Sequence, residues 1–159
     1  MQNHQIMEAQ KSDIPSLIEV FETGISQAAK ADYSPLEIQS WLETAQIATR
    51  WSRLIEEQYV LIVLEGNKVV GFGSLKGEDY VDFIYVHGQH LRKGIAQRVL
   101  DALISKAVFQ NVDFLCSDVS LTAKPFFEKN GFKVIHKNEN QRGNEVLINF
   151  RMRKALATV

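Results

Sequence analysis

Apolar residues recur at helical spacing in the first third of the chain and at strand spacing in the middle. Ile14, Leu17, Ile18, Phe21 and Ile25 fall on one face of a helix. Ser12 or Asp13 stands where its N-cap belongs, and Pro15 suits its first turn. Ser34-Pro35-Leu36-Glu37 has the form of a capping box with proline at the first helical position. It predicts a second helix carrying Leu36, Ile38, Trp41 and Leu42, and Trp51, Leu54 and Ile55 mark a third helical stretch. Ahead of them, Ile6 to Ala9 reads as a short extended segment.

From Tyr59 the texture changes. Tyr59 to Leu64 is a continuous apolar run, as expected of a buried strand. Glu65-Gly66-Asn67-Lys68 reads as a hairpin turn, and Val69 to Leu75 returns as the partner strand. Gly71 and Gly73 in that strand mark a close backbone approach or a bulge. Tyr80 to Val86 is the next strand. Strict alternation puts Val81, Phe83 and Tyr85 on one face and Asp82, Ile84 and Val86 on the other. A polar loop from His87 to Lys93 ends at Gly94, where an amphipathic helix begins with Ile95, Val99, Leu100, Leu103, Ile104 and Ala107.

Val112 to Cys116 follows as a strand, and a strand–helix–strand unit of this length favours a right-handed parallel crossover. Ala123 to Lys129 predicts a short helix stopped by Asn130-Gly131. Phe132 to His136 and Glu145 to Met152 predict a last antiparallel pair. The order implies an α/β fold. Its sheet is mixed and mostly antiparallel, with one parallel crossover and helices on both faces.

Composition narrows the function classes. The 159 residues suit one domain with one core, and we expect a single domain over 1–159. The formal net charge of −1, from 18 basic and 19 acidic residues, lacks the basic excess of a nucleic-acid or membrane-surface binder. We therefore expect neither nucleic acid nor membrane as partner. The one cysteine, Cys116, allows no intramolecular disulfide, and Met1 to Gln10 has no apolar leader. The expectation is a cytoplasmic protein. His4, His87, His90 and His136 show no metal-ligand spacing, so no metal site is expected.

The segment Val86-His87-Gly88-Gln89-His90-Leu91-Arg92-Lys93-Gly94-Ile95-Ala96 carries the chemistry. A strand ends, a basic loop turns and a helix begins at a glycine. The free N–H groups of a helix start, with its dipole, form an anion site. Gly94 lets backbone approach a ligand, Ala96 keeps the next contact small, and Arg92 and Lys93 add positive charge, so a pyrophosphate is the natural guest. The bland alternative is a loop–helix junction with two solvated basic residues.

Gly94-Ile95-Ala96 in this setting resembles the Q/R-x-x-G-x-G/A signature of the GNAT superfamily of N-acetyltransferases. Ser120-Leu121-Thr122-Ala123-Lys124-Pro125-Phe126-Phe127-Glu128-Lys129-Asn130-Gly131-Phe132 resembles that family's N/S-x-x-A-x-x-F/L-Y-x-x-x-G-F block. The resemblance covers Val60 to Lys154 well, and within the superfamily it points to small bacterial acetyltransferases with unassigned substrates. It implies acetyl-CoA as cofactor, held by Ile84, Tyr85 and Val86, by Leu91, Arg92, Lys93, Gly94, Ile95, Ala96 and Gln97, and by Ser117, Ser120, Ala123, Phe126 and Phe127. Two positions depart from the family pattern: Leu91 stands where Gln or Arg is usual, and Phe127 stands where a tyrosine often protonates the departing thiolate.

The implied reaction is direct attack of an amine, small-molecule or peptide, on the thioester in a ternary complex. An amine with pKa near 10.4 is neutral in only about one molecule in 2,500 at pH 7, a deficit of roughly 4–5 kcal/mol that a base offsets in part. Asp82, mid-strand beside the expected thioester, is either that base or a solvent-facing charge. His87 is the second candidate. Tyr85 or Ser120 stands in as proton donor, and Cys116 reads as a small buried residue rather than a nucleophile. Asp32 and Tyr33, with Asp82, would line the acceptor site. The rivals are an acetyl-CoA-binding sensor or interaction module of the same fold, kept open by Phe127, and an unrelated α/β protein. The resemblance also allows a homodimer, which no sequence feature requires.

Overall fold

The computed structural model describes residues 3–156. Its elements are β1 (His4–Glu8), α1 (Ile14–Ala28), α2 (Pro35–Leu42), α3 (Ala48–Glu57), β2 (Tyr59–Glu65), β3 (Lys68–Lys76) and β4 (Tyr80–Val86). They continue with α4 (Ile95–Phe109), β5 (Phe114–Ser120), α5 (Lys124–Lys129), β6 (Lys133–Arg142) and β7 (Glu145–Ala155). One seven-stranded sheet runs in the order β1-β2-β3-β4-β5-β7-β6. Neighbouring strands are antiparallel except β4 and β5, which are parallel. The mixed sheet, the single parallel crossover and the helices on both faces are as expected.

Local sequence signals explain most of the elements. The Ser34 hydroxyl accepts from the Glu37 N–H at 3.1 Å while the Glu37 carboxylate accepts from the Ser34 N–H at 2.8 Å, a reciprocal box that starts α2. At α1 Asp13 is the N-cap residue, one of the two expected, but with a helical backbone at the end of a short 3₁₀ turn; its side chain takes the Gln10 N–H at 2.7 Å and makes no bond to the first turn of α1. Gly131, with φ +88°, ends α5. β5 starts two residues later than expected and runs on to Ser120, because Leu115, Ser117 and Val119 alternate inward past Cys116. The last hairpin extends to Arg142 and Ala155, and β7 inserts between β5 and β6.

Two cores sandwich the sheet. One face packs Val81, Leu115, Val119 and Phe127 against Ile95, Val99, Leu100 and Leu103 of α4. The other packs Phe72, Phe83 and Leu147 against Leu17, Phe21, Trp51 and Leu54 of α1 and α3. A Cβ at Gly73 would sit 2.5 Å from Val99 Cγ1, and one at Gly71 would sit 2.6 Å from Ile95 Cγ2. These glycines therefore let α4 lie directly on β3.

Strict alternation fails in β4, and here the expected faces are corrected. Ser74 pairs with Phe83 but Leu75 pairs with Val81, so Asp82 is the extra residue of a bulge. The bulge turns Val81 to the α4 side with Ile84 and Val86, and leaves Phe83 and Tyr85 on the α1 side. The buried Ser74 hydroxyl accepts from the Phe83 N–H at 3.2 Å, satisfying a donor at the break.

Candidate active site

β4 and β5 pair over only two positions, Tyr80 with Cys116 and Val81 with Ser117, before they part. β4 stays bonded to β3 as far as Val86, and β5 to β7 as far as Ser120. The edges facing each other beyond Ser117 are thus free backbone, and a cleft of about 140 Å³ opens there. Ile84, Tyr85, Ser117, Ser120, Ala123 and Phe127 line it, as do Asp82 and Tyr33. An extended ligand with amides of its own can enter a split sheet by bonding to such edges.

The loop after β4 leads from the cleft to α4. Gly94 is the N-cap residue of α4, with φ +78°, and a Cβ there would meet nothing within 4 Å. Its glycine is therefore demanded by the left-handed backbone, with open space in front. Arg92 also has a positive φ, +61°. No side chain caps the first turn, so the amides at Ile95, Ala96 and Gln97 face that space without intrahelical partners. Exposed Arg92 and Lys93 add charge, while Leu91 contributes no polar side-chain atom. The Gln97 side chain is turned away, onto Asp101 at 2.9 Å and Asn130 at 2.7 Å. The chemistry of this start suits a diphosphate.

Asp82 projects from the bulge into solvent and takes a 2.7 Å hydrogen bond from Gln58 Nε2. Tyr85 lies beside it, and burial pushes its phenol up to about 12, with the Arg50 guanidinium opposing. The phenol therefore stays protonated near neutral pH and has a proton to give. The Ser120 hydroxyl accepts from the Ala123 N–H at 3.1 Å and keeps its own proton to give. Phe127, 1% exposed, stands edge-on to Phe132 at 4.9 Å and forms an apolar part of the wall.

Other candidates are tied up elsewhere. Tyr33 donates to the Ile148 carbonyl at 2.7 Å and accepts from the Leu121 N–H at 2.8 Å, which joins the α1–α2 loop to β7 and the start of the α5 turn. It offers the cleft its ring. Asp32 accepts from the Thr122 hydroxyl at 2.8 Å and is not a cleft wall. His87 is buried, with Nδ1 accepting from the Gln89 N–H at 3.1 Å. Its neutral ring must then carry its proton on Nε2, which lies 3.2 Å from Glu19. The lone pair a base needs is taken. Cys116 is half-buried, and burial raises its thiol, which disfavours the thiolate.

Several wall residues escaped the sequence reading: Trp41, Asp118, Asn140, Arg142 and Leu147. Asp118 is gripped by Arg151 at 2.7 and 2.9 Å, Tyr80 at 2.6 Å and Asn138 at 3.0 Å. Burial acts to raise its carboxyl, but these donors outweigh it and hold the group below the usual carboxylate range. Its alternating position in β5 gave no signal of that network. Gly24 was also missed. A Cβ there would fall 2.4 Å from the Val86 carbonyl oxygen, so its glycine lets α1 cross the end of β4.

Residues 29–156 match the family model described as an acetyltransferase (GNAT) domain. The chain is 31% identical over 153 residues to the uncharacterized N-acetyltransferase YafP of Escherichia coli, covering 96% of this chain and 97% of that one. A GCN5-related N-acetyltransferase from Rhodopseudomonas palustris, also described as a class-II aminotransferase, superposes with a TM-score of 0.93. It shares 28% identity and covers 98% of both chains. PaiA N-acetyltransferase from Thermoplasma acidophilum, solved in complex with coenzyme A, shares the fold with a TM-score of 0.75 at 21% identity. It covers 96% of this chain and 99% of that one.

Proposed function

The chain belongs to the GNAT acetyltransferase family, and within it we propose that this one moves an acetyl group from acetyl-CoA to an amine by direct attack in a ternary complex. It is an enzyme of the N-acetyltransferase type, and acetyl-CoA is its co-substrate. The observation that carries the finer reading is the coincidence of three features on β4 and the loop that follows it. They are the split between β4 and β5, the left-handed Gly94 start of α4, and the acid of the β4 bulge at the mouth of the split. One domain spanning 1–159 carries the whole reaction, in the cytoplasm. Among the described residues no helix is long and apolar enough to cross a membrane.

The roles follow from what each group can do. The amides at the start of α4, with Arg92 and Lys93, would hold the diphosphate of acetyl-CoA. The free edges of β4 and β5 would bind its pantetheine arm, with Ala123, Phe126 and Phe127 closing the apolar side. Acetyl-CoA supplies the activated thioester. Backbone N–H groups already oriented at Ile84 to Val86 stabilise negative charge on an acyl oxygen. Asp82, open to solvent and accepting only one side-chain bond, takes the proton from the acceptor amine directly or through water. Tyr85 or Ser120 donates toward the departing thiolate, which needs little help because free thiols ionise near ~8.5. Tyr33 shapes the acceptor side with its ring, and Asp32 acts there from behind the wall by tying the same loop to Thr122.

The deciding experiment titrates the pure protein with acetyl-CoA and follows thiol release against a panel of amines in the same samples. Saturable binding with amine-dependent thiol release is the expected result. Binding without release for any amine overturns the catalytic assignment of Asp82, Tyr85 and Ser120. Failure to bind overturns the role given to the start of α4.

A further inference from the structure

Resting on the acetyltransferase reading, we propose that the acceptor is an amine that also carries a carboxylate, and that Arg50 binds that carboxylate. Arg50 stands on α3 with its guanidinium laid over aromatic faces, 4.8 Å from the Phe83 centroid, 5.1 Å from Phe21 and 5.8 Å from Trp51. It is half-buried, and burial lowers its pKa, though the group stays charged. A guanidinium has five N–H donors, and this one spends one of them, Nη1 on the Thr44 hydroxyl at 2.6 Å. Thr44 in turn donates to the carbonyl of Trp41, a cleft wall.

No carboxylate lies within ion-pairing distance of Arg50 among the described residues. Arg50 stands next to the cleft wall: the Phe83 ring beneath it lies 6.0 Å from the ring of the cleft-lining Tyr85, and Thr44 ties it to the cleft-lining Trp41. Asp82 could have served as counter-ion, yet its carboxylate bonds to Gln58 instead. Arg142, an exposed cleft-lining residue, adds a second positive charge nearby. A desolvated, pre-positioned guanidinium with free donors is costly until an anion meets it. Its planar fork matches a carboxylate, which it can hold with two parallel bonds.

The charges at the cleft mouth are then ordered by function. Asp82 faces the ammonium end of a zwitterion and draws its proton. Arg50 and Arg142 face the carboxylate end and keep it away from the thioester. Trp41 and Leu147 supply apolar wall for whatever links the two ends. A polyamine finds one uncompensated acid here, because Asp118 is already paired with Arg151, and two arginines against it.

The test compares amines paired by that charge: glycine with glycinamide, γ-aminobutyrate with its amide, and phenylalanine with phenylalaninamide, each rate being expressed per neutral amine because amidation also lowers the amine pKa. Thiol release is measured for each pair with the wild-type protein, R50Q and R50K, and melting temperature and acetyl-CoA affinity are recorded for all three. In at least one pair the wild type should favour the carboxylate by about 10- to 100-fold in kcat/KM, mainly through KM, as a charge-assisted fork implies. R50Q should bring that ratio close to 1, and R50K should recover part of it. A variant that only loosened the fold would slow both members of a pair and leave their ratio alone. Thiol release without preference for the carboxylate, or a preference that survives R50Q, overturns this inference and leaves the acetyltransferase reading standing. No thiol release from these or other amines, despite acetyl-CoA binding, overturns both.

Discussion

Replacing Gly94 by alanine and by glutamate separates backbone geometry from electrostatics at the start of α4. The φ of +78° costs a residue with a Cβ about 1–2 kcal/mol. The space around a Cβ there is open, so the first side-chain atom meets no clash in either variant. Both variants should therefore lose the same stability, and for a chain of this size that lowers the melting temperature by about 2–8 °C. Acetyl-CoA affinity should separate them. Alanine leaves the free amides in place and should weaken binding less than about tenfold. Glutamate adds a negative charge beside the diphosphate. At about 5 Å and an effective dielectric near 20, each unit of like charge costs roughly 3 kcal/mol. The expected loss for Gly94→Glu is thus on the order of 100-fold or more, partly recovered in high salt as screening grows. Calorimetric titration with acetyl-CoA at low and high salt reads both variants. Equal affinity of the alanine and glutamate proteins would remove the diphosphate from this helix start.

Other perturbations test the remaining parts. Asp82→Asn should lower turnover by about 10²-fold or more, shift the pH–rate profile upward and leave acetyl-CoA affinity within about twofold, because only a proton acceptor is lost; an unaltered profile removes Asp82 as the base. Burial holds the His90 imidazole below its ordinary 6.5, with Glu65 opposing and Lys93, His87 and Lys68 assisting. The unfolded chain then takes up that proton first as pH falls below 6.5, so His90 contributes stability above that value and loses it on further acidification. Melting temperature should drop between pH 7 and pH 5, and His90→Gln should flatten the drop; an equally steep fall in the variant assigns it to other groups. Hydrogen exchange should show fast amides along the facing edges of β4 and β5 beyond Ser117, slowed when coenzyme A is added, while amides bonded to β3 and β7 stay slow throughout. Protection of the facing edges in the free protein would close the proposed slot.

Local chemistry was legible in the chain. The Ser34 box, the Gly66 hairpin and the α4 start each depend on residues close in sequence, where spacing carries the physics. The bulge at Asp82 was not legible, because it is set by Ser74 on another strand, and alternation alone puts Val81 on the wrong face. The insertion of β7 between β5 and β6 is likewise a pairing choice that chain order leaves open. The cleft walls illustrate the same limit. Trp41, Asp82, Ser120 and Arg142 come from four distant segments, and nothing in their own neighbourhoods says that they meet. Nothing near Arg50 in the sequence says that Phe21 and Phe83 lie beneath it.

The irregularities of β4 belong together physically. A strand paired on both sides offers a ligand no backbone, and a strand that simply ends offers no registered edge. Here the bulge changes the direction of β4 just where its pairing with β5 stops, while β3 still holds its other edge through Val86. Burying unpaired backbone groups in that gap costs roughly 1–3 kcal/mol each unless something bonds to them. The fold sustains the cost because both neighbouring ladders remain intact and because Ser74 and Ser117 place hydroxyls on the Phe83 N–H and the Val81 carbonyl beside the break. The same bend lifts Asp82 out of the core and into the mouth of the gap. The slot proposed for the donor and the acid proposed for the acceptor would thus share one origin, an extra residue in one strand that alternation alone does not reveal.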